Sequence, residues 1–231
     1  YTNTPALIVS AGPSLKKNIE QIKNFKGIVF VMGRTMTPVI EQGTTPDFVV
    51  SVDPLDIVYE TFNKYKEHNI PLITMAESNS KVVSGSKGPK YFIHNSAALS
   101  GLLGIRINPG LDLAGSVATL CLSTAEYMGC NPIIFIGQDL AYTNNERHSE
   151  LAISEDDGVK GNRIIPENKG IRFIKSYDQK TIGSSDMLVS FLRWIEKFIK
   201  EHNETTYINA TEGGAYIEGA LHIPLKQAIE E

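Results

Sequence analysis

Residues 112–142, DLAGSVATLCLSTAEYMGCNPIIFIGQDLAY, decide the fold. A glycine-serine turn, Gly115-Ser116, opens directly into a helical pattern. Val117, Leu120, Cys121, Thr124 and Met128 recur there at three- and four-residue steps, which places them on one face. Gly129 fits the C-terminal cap, because a left-handed backbone costs glycine little. Asn131-Pro132 then breaks the chain, and Ile133 to Ile136 is an apolar run of the length of a buried strand. The run ends in Gly137-Gln138-Asp139, polar groups that a strand buried on both faces is not expected to hold inside. Helix, tight turn, buried strand and polar tip make half of a parallel α/β unit. Ligands of such sheets sit at the carboxyl ends of the strands, so Gln138 and Asp139 are expected at the edge of an active site.

Other strands end in the same way. Ala6 to Ser10 is a short apolar strand followed by Ala11-Gly12-Pro13-Ser14, after which Leu15, Ile19 and Ile22 mark a helix capped by Ser14. A strand, a glycine turn and a helix N-terminus can bind phosphate through free amides and the helix dipole. A purely structural βα turn explains the same residues, since neither a GxGxxG fingerprint nor a Walker A ending is present. Gly27 to Met32 is a second buried strand, ending at Gly33-Arg34, with a short helix over Thr37 to Gln42. Pro46 to Val52 leads to a third tip at Asp53-Pro54, where Asp53 serves either a ligand or the turn before the helix from Ile57 to His68. Pro71 to Met75 and Tyr91 to His94 read as further strands, separated by a Ser-, Gly- and Lys-rich surface loop from Ser78 to Pro89.

Beyond the central unit the composition changes. Thr143 to Ser185 has few apolar runs and many polar residues, the pattern of a functional lid or mobile insertion. Ser184-Ser185-Asp186 then caps a helix whose Met187, Phe191, Trp194, Ile195 and Phe198 form an apolar stripe, read as core. Tyr207 to Asn209 is a last short strand with Thr211-Glu212-Gly213-Gly214 at its tip, and Pro224 to Glu231 closes the chain as a helix. Five small or polar strand tips on one sheet edge favour a cleft. Backbone amides and a hydroxyl suit phosphate; carboxylates and amides suit ribose and base.

At 231 residues with 42% hydrophobic content, the chain can bury one sizeable core. A net charge of −4 argues against a broad nucleic-acid footprint. Cys121 and Cys130 have no metal-ligand spacing and read as buried or unreactive. No apolar run has membrane-span length and no signal peptide is visible, so the reading is cytoplasmic. The chain starts at Tyr1 rather than Met, the expectation being a domain cut from a longer protein. No DxD pair is present; metal dependence is not expected, although Asp53, Asp139 and Glu212 are candidate Mg²⁺ ligands.

The motifs Ala11-Gly12-Pro13-Ser14-Leu15, Pro46-Asp47, Ser51-Val52-Asp53-Pro54, Gly115-Ser116-Val117, Gly137-Gln138-Asp139-Leu140-Ala141-Tyr142-Thr143 and Asn209-Ala210-Thr211-Glu212-Gly213-Gly214-Ala215 resemble the core of motility accessory factor proteins. These are flagellin glycosyltransferases that use CMP-activated nonulosonic acids. The chain is similar, more distantly, to Rossmann-like bacterial sialyltransferases, with the serine-glycine turn reversed to Gly115-Ser116 and Arg34 near the expected asparagine. It is also similar to archaeal hydroxymethylpterin diphosphokinase, which uses ATP and Mg²⁺. The resemblance implies a single Rossmann-like α/β domain over residues 1–231, a mostly parallel sheet flanked by helices, with 143–185 as a lid-like insertion.

The implied reaction moves a nonulosonic, sialic-acid-like sugar from a CMP donor to Ser or Thr of flagellin or another surface protein. The diphosphokinase reaction and a non-catalytic nucleotide- or sugar-binding module remain alternatives. Gly12, Pro13, Ser14, Gly33, Arg34, Asp53, Gly115, Ser116 and Gln138 are the expected nucleotide contacts. Tyr142, Thr211, Glu212, Gly213 and Gly214 are expected on the sugar and acceptor side. No cofactor is favoured, Mg²⁺ belonging to the diphosphokinase alternative. Among the five histidines, His68 and His202 end helices, His94 closes an edge-like segment and His222 lies near the closing helix. His148 follows the Gln138-Asp139 tip, where motility accessory proteins tend to carry a histidine, and is the expected general base. A surface-loop histidine is the competing reading, and Asp139 is the second candidate, as base or as the group orienting the imidazole.

Overall fold

A computed structural model describes residues 1–64, 66–93, 111, 114–152 and 170–230. Its centre is an eight-stranded parallel sheet. The strands are β1 (Ala6–Val9), β2 (Ile28–Met32), β3 (Phe48–Ser51), β4 (Leu72–Met75), β5 (Lys90–Ile93) and β6 (Ile133–Ile136). The antiparallel hairpin β7 (Ile171–Lys175) and β8 (Thr181–Ser185) stands apart, and β9 (Tyr207–Asn209) and β10 (Leu221–His222) complete the sheet. The spatial order is β10-β9-β6-β1-β2-β3-β4-β5. From β1 the chain first winds one way to β5, then returns to lay β6 on the other side of β1. The switch point of the winding is therefore the crevice between the tips of β1 and β6, the place where open α/β sheets bind ligands.

β1 and β6 are apolar and buried along their whole length because helices cover both faces. Ala6 and Ile8 face one core, and Leu7 and Val9 the other. On the first face lie α4 (Val117–Tyr127) and α5 (Asp186–Glu201). The second carries α1 (Gly33–Glu41), α2 (Asp56–Asn63), α3 (Ser80–Gly85) and α6 (Leu225–Glu230), with the segment after β1. Gly129, at φ +77°, ends α4 as expected: its amide bonds to Glu126 and that of Cys130 reaches back to Ala125, a Schellman cap. Both cysteines are free and buried, and burial pushes the Cys121 thiol far up.

Four local expectations change. The helix expected over Leu15 to Asn24 is two 3-10 segments, Pro13–Lys17 and Ile19–Asn24, and Ser14 is not its cap. The Ser14 hydroxyl has a stronger partner in the Asp139 carboxylate. The loop expected from Ser78 to Pro89 contains α3, whose cap Asn79 accepts from the amides of Lys81 and Val82. α4 is buried on nearly every side, Ala118 through Ala125, rather than along one stripe, because it is sandwiched between the sheet and neighbouring elements. Finally, the stretch expected as a lid includes the β7–β8 hairpin at 170–185. Its amide and carbonyl groups bond to Tyr142, Gly214 and Tyr216, which anchor it to the sheet's carboxyl edge. The remainder of that stretch at 153–169, and His94, lie outside the described residues.

Candidate functional site

The tips of β1 and β6 are tied together by backbone bonds, Ser10 N to Ile136 O at 2.9 Å and Gly12 N to Gly137 O at 2.8 Å. The Ser10 hydroxyl donates to Gln138 Oε1, and the Gln138 amide donates to Thr211 Oγ1 at 3.1 Å. Asp139 accepts from Ser14 Oγ at 2.8 Å, from Thr143 Oγ1 at 2.6 Å and from the Ser14 amide at 3.2–3.3 Å. Gln138 and Asp139 are thus buried after all, at 6% and 2% exposure. They lie just past the strand, where hydroxyls and amides from three other segments satisfy them. Burial pushes the Asp139 carboxyl above its ordinary pKa, opposed by the bonds from Thr143 and Ser14.

This network overturns one reading of the first turn. Pro13 has no amide proton, the Ser14 amide is given to Asp139, and the Leu15 amide closes the turn onto Gly12 O at 3.0 Å. The anion at this helix start is an internal carboxylate, so the amides after Gly12 are not available to a phosphate. The contact is close enough that a Cβ on Gly12 would fall on Asp139 Oδ2 and Gly137 O. Gly213 and Gly214 press equally tightly on Ser14 and on the Asp139 backbone.

A cleft of about 200 Å³ opens at the switch point. Its polar side has Gly12, Gln138 and Asp139, together with Arg147, His148 and Ser116. Ser116 caps α4, its hydroxyl accepting from Ala118 N at 3.3 Å, and the positive end of that helix faces the cleft through Ser116 and Ala118. The apolar part of the lining is Met32 from the tip of β2, with Met187, Leu188 and Phe191 from the first two turns of α5. A larger hollow of about 730 Å³ flanks the C-terminal half of α5, lined by lysines and glutamates. Among the described residues no strand tip lines it, and the switch-point cleft is the candidate site on that ground.

Of the expected residues, Gly12, Ser116, Gln138, Asp139 and His148 come together at the cleft. Gly115 precedes Ser116 at the rim, exposed and at φ +80°. The others are placed elsewhere. Gly33 and Arg34 begin α1 beyond Met32, and Asp53 Oδ1 accepts from Leu55 N at 2.9 Å to hold its turn. Pro13 and Ser14 are buried behind Asp139, with Thr211 beneath Gln138. Glu212 accepts from Asn18 Nδ2 at 2.8 Å and Leu225 N at 3.3 Å, holding the start of α6. Tyr142 and the Gly213-Gly214 pair lie on the far side of Asp139, against the hairpin and Ser14. Asp53, Asp139 and Glu212 do not converge, and among the described residues no three His, Cys, Asp or Glu side chains are grouped to hold a metal ion. Arg147, Met32, Met187 and Leu188 were not anticipated. The one available signal was that the stripe of α5 begins at Met187, directly after a serine cap at a strand tip.

Residues 1–145 match the family described as 6-hydroxymethylpterin diphosphokinase MptE-like. The chain belongs to the MptE-like family. This MptE-like domain has the fold of the MAf glycosyltransferase from Magnetospirillum magneticum AMB-1, with a TM-score of 0.75 at 19% identity over 96% of the chain. It is also 39% identical over 62 residues, 26% of its length, to an uncharacterized protein of Treponema pallidum (strain Nichols). The matches cover about a third of the length of these proteins, 34% of the first and 30% of the second. Among the described residues no helix is long and apolar enough to cross a membrane.

Proposed function

We propose that the MptE-like domain is a glycosyltransferase that moves a nonulosonic sugar from a CMP donor to a serine or threonine hydroxyl of flagellin or another surface protein. The observation that carries this reading is the cleft itself, whose lining combines a helix N-terminus, an arginine and a histidine with apolar side chains. In this reading the phosphate of the donor lies at Ser116 and the first turn of α4, with Arg147 balancing its charge. The acceptor oxygen forms a bond to the anomeric carbon while the bond from that carbon to the phosphate oxygen breaks. The electron pair leaves with CMP, and His148 takes the hydroxyl proton. Asp139 is not the base: its carboxylate already accepts from Ser14 and Thr143, and it fixes the segment from which Arg147 and His148 project. The described parts of the 143–185 segment form the acceptor side, since residues 143–152 supply these two side chains and the hairpin leads into α5 at the cleft.

A second reading, diphosphate transfer from ATP, is favoured by the family match over residues 1–145. The same fold serves both chemistries, so the site has to choose between them. Thermal shifts with CMP, CDP, NAD, and ATP with and without Mg²⁺ discriminate directly, because a ligand at 100 times its Kd adds about 2.7 kcal/mol of stability. The glycosyltransferase reading expects CMP to stabilise the protein without metal. Stabilisation by ATP with Mg²⁺ alone would replace it with the diphosphokinase.

A further inference from the structure

The apolar stripe of α5 outruns its protein partners. At its C-terminal end the stripe is core, with Ile195 1% and Phe198 7% exposed. Toward the N-terminus it passes through the partly buried Phe191 and reaches Met187, which is 46% exposed. Met187 is no stray surface residue: it lies four residues before Phe191 on the same face, and Met187, Leu188 and Phe191 all line the cleft. The polar face of the helix, with Ser190, Arg193 and Lys197, is exposed on another side. The same cleft is lined by Ser116, at the positive end of α4, and by Arg147. A lining that has both a helix N-terminus with an arginine and an apolar surface suits a ligand that carries an anion and a flat ring.

We infer that Met187, Leu188 and Phe191, with Met32, form the surface on which the base of the nucleotide donor packs. They are then the residues that set base preference. The inference rests on the donor reading above and names a specificity wall within it. Thioether and phenyl groups suit this task, since both are polarizable and favour the face or edge of a ring. A methionine pair adapts its shape to the ring it meets, so the wall selects by area and stacking, whereas the anion-binding side fixes register.

The experiment is calorimetric titration of the wild type, Met187→Ala and Phe191→Leu with CMP and with ribose 5-phosphate, which keeps the anion and lacks the base. Met187 is half exposed, so its truncation leaves the core in place. We expect each variant to weaken CMP binding roughly ten-fold while ribose 5-phosphate affinity stays within two-fold or so of wild type. If CMP binds the wild type and its affinity is unchanged in both variants, the wall is not the base site and the donor reading stands. If both ligands weaken equally, the side chains act only through the fold and the inference is likewise overturned. If the wild type binds no CMP, the donor reading falls and the inference with it.

Discussion

Two turns of this protein look alike in sequence and differ in what they leave free. Gly12-Pro13-Ser14 follows a buried strand and opens a 3-10 segment; Gly115-Ser116 opens α4. Each places a serine at a helix start beside the switch point. At the first, Asp139 takes both the amide and the hydroxyl of Ser14, so an internal anion sits where a phosphate was expected. At the second, the serine caps its own helix and remains on the cleft wall. A glycine-serine turn is a phosphate site only when no internal group has already satisfied its donors, and the first turn is better described as a clamp that joins β1 to β6.

The sharpest way to extend the comparison is through the residue that the clamp positions. His148→Ala should lower sugar transfer by about 10²–10⁴, the usual worth of a general base, with CMP affinity nearly intact. Turnover equal to wild type would remove His148 from the chemistry. Next come the two glycines. Gly12→Ala should cost about 2–3 kcal/mol in urea unfolding, because the new Cβ meets a carboxylate and a carbonyl that cannot both retreat. Gly115→Ala adds a Cβ with nothing within 4 Å and should cost only the strain of its positive φ, about 1 kcal/mol. Equal costs would mean that the first turn is not a tight clamp.

The two serines should separate in the opposite sense. Ser14→Ala removes a bond to a buried carboxylate and should destabilise by about 1.5–3 kcal/mol while leaving CMP affinity unchanged. Ser116→Ala should cost about 1 kcal/mol of capping and weaken CMP binding several-fold. Binding loss at Ser14 with none at Ser116 would reverse the assignment of the two turns.

The smallest effects concern pH. The Asp139 carboxyl is raised by burial, so the folded protein keeps its proton where the unfolded chain, at about pKa 3.9, has lost it. That contribution is complete below the unfolded value and is lost as pH rises through the raised one. His222 shifts the other way: burial lowers it, the Ala220 carbonyl opposes this, and Lys175 adds to it. Its contribution is complete above about pH 6.5 and is lost as pH falls toward the folded value. The neutral ring stacks on Tyr216 at 4.1 Å and accepts from Ile217 N at 3.2 Å, where the hairpin meets β10. Melting curves across pH should show the first dependence vanish in Asp139→Asn and the second in His222→Gln.

Sequence alone determined the architecture. Short continuous apolar runs such as ALIV and IIFI, bounded by Gly and Pro, fit strands covered on both faces, and their alternation with helical patterns fits a parallel sheet. Periodicity and caps act over a few residues, so they are legible in the chain as written, as Gly129 and Ser185 show. Sequence also brought Gln138 and Asp139 to notice, because polar residues after a buried strand have to go to its tip, Ser116 through its turn before a helix, and His148 through the family resemblance. Only the tertiary structure decided which donors are free. The Asp139 carboxylate reaches Ser14 across 125 residues, and no local pattern records that pairing. The same holds for Met187, Leu188 and Phe191: the stripe is plain in the sequence, but whether protein or cleft covers a given turn depends on where the helix ends relative to β1 and β6. Hydrogen-bond satisfaction and burial are properties of the assembled chain, and they separate the serine that builds the site from the serine that faces it.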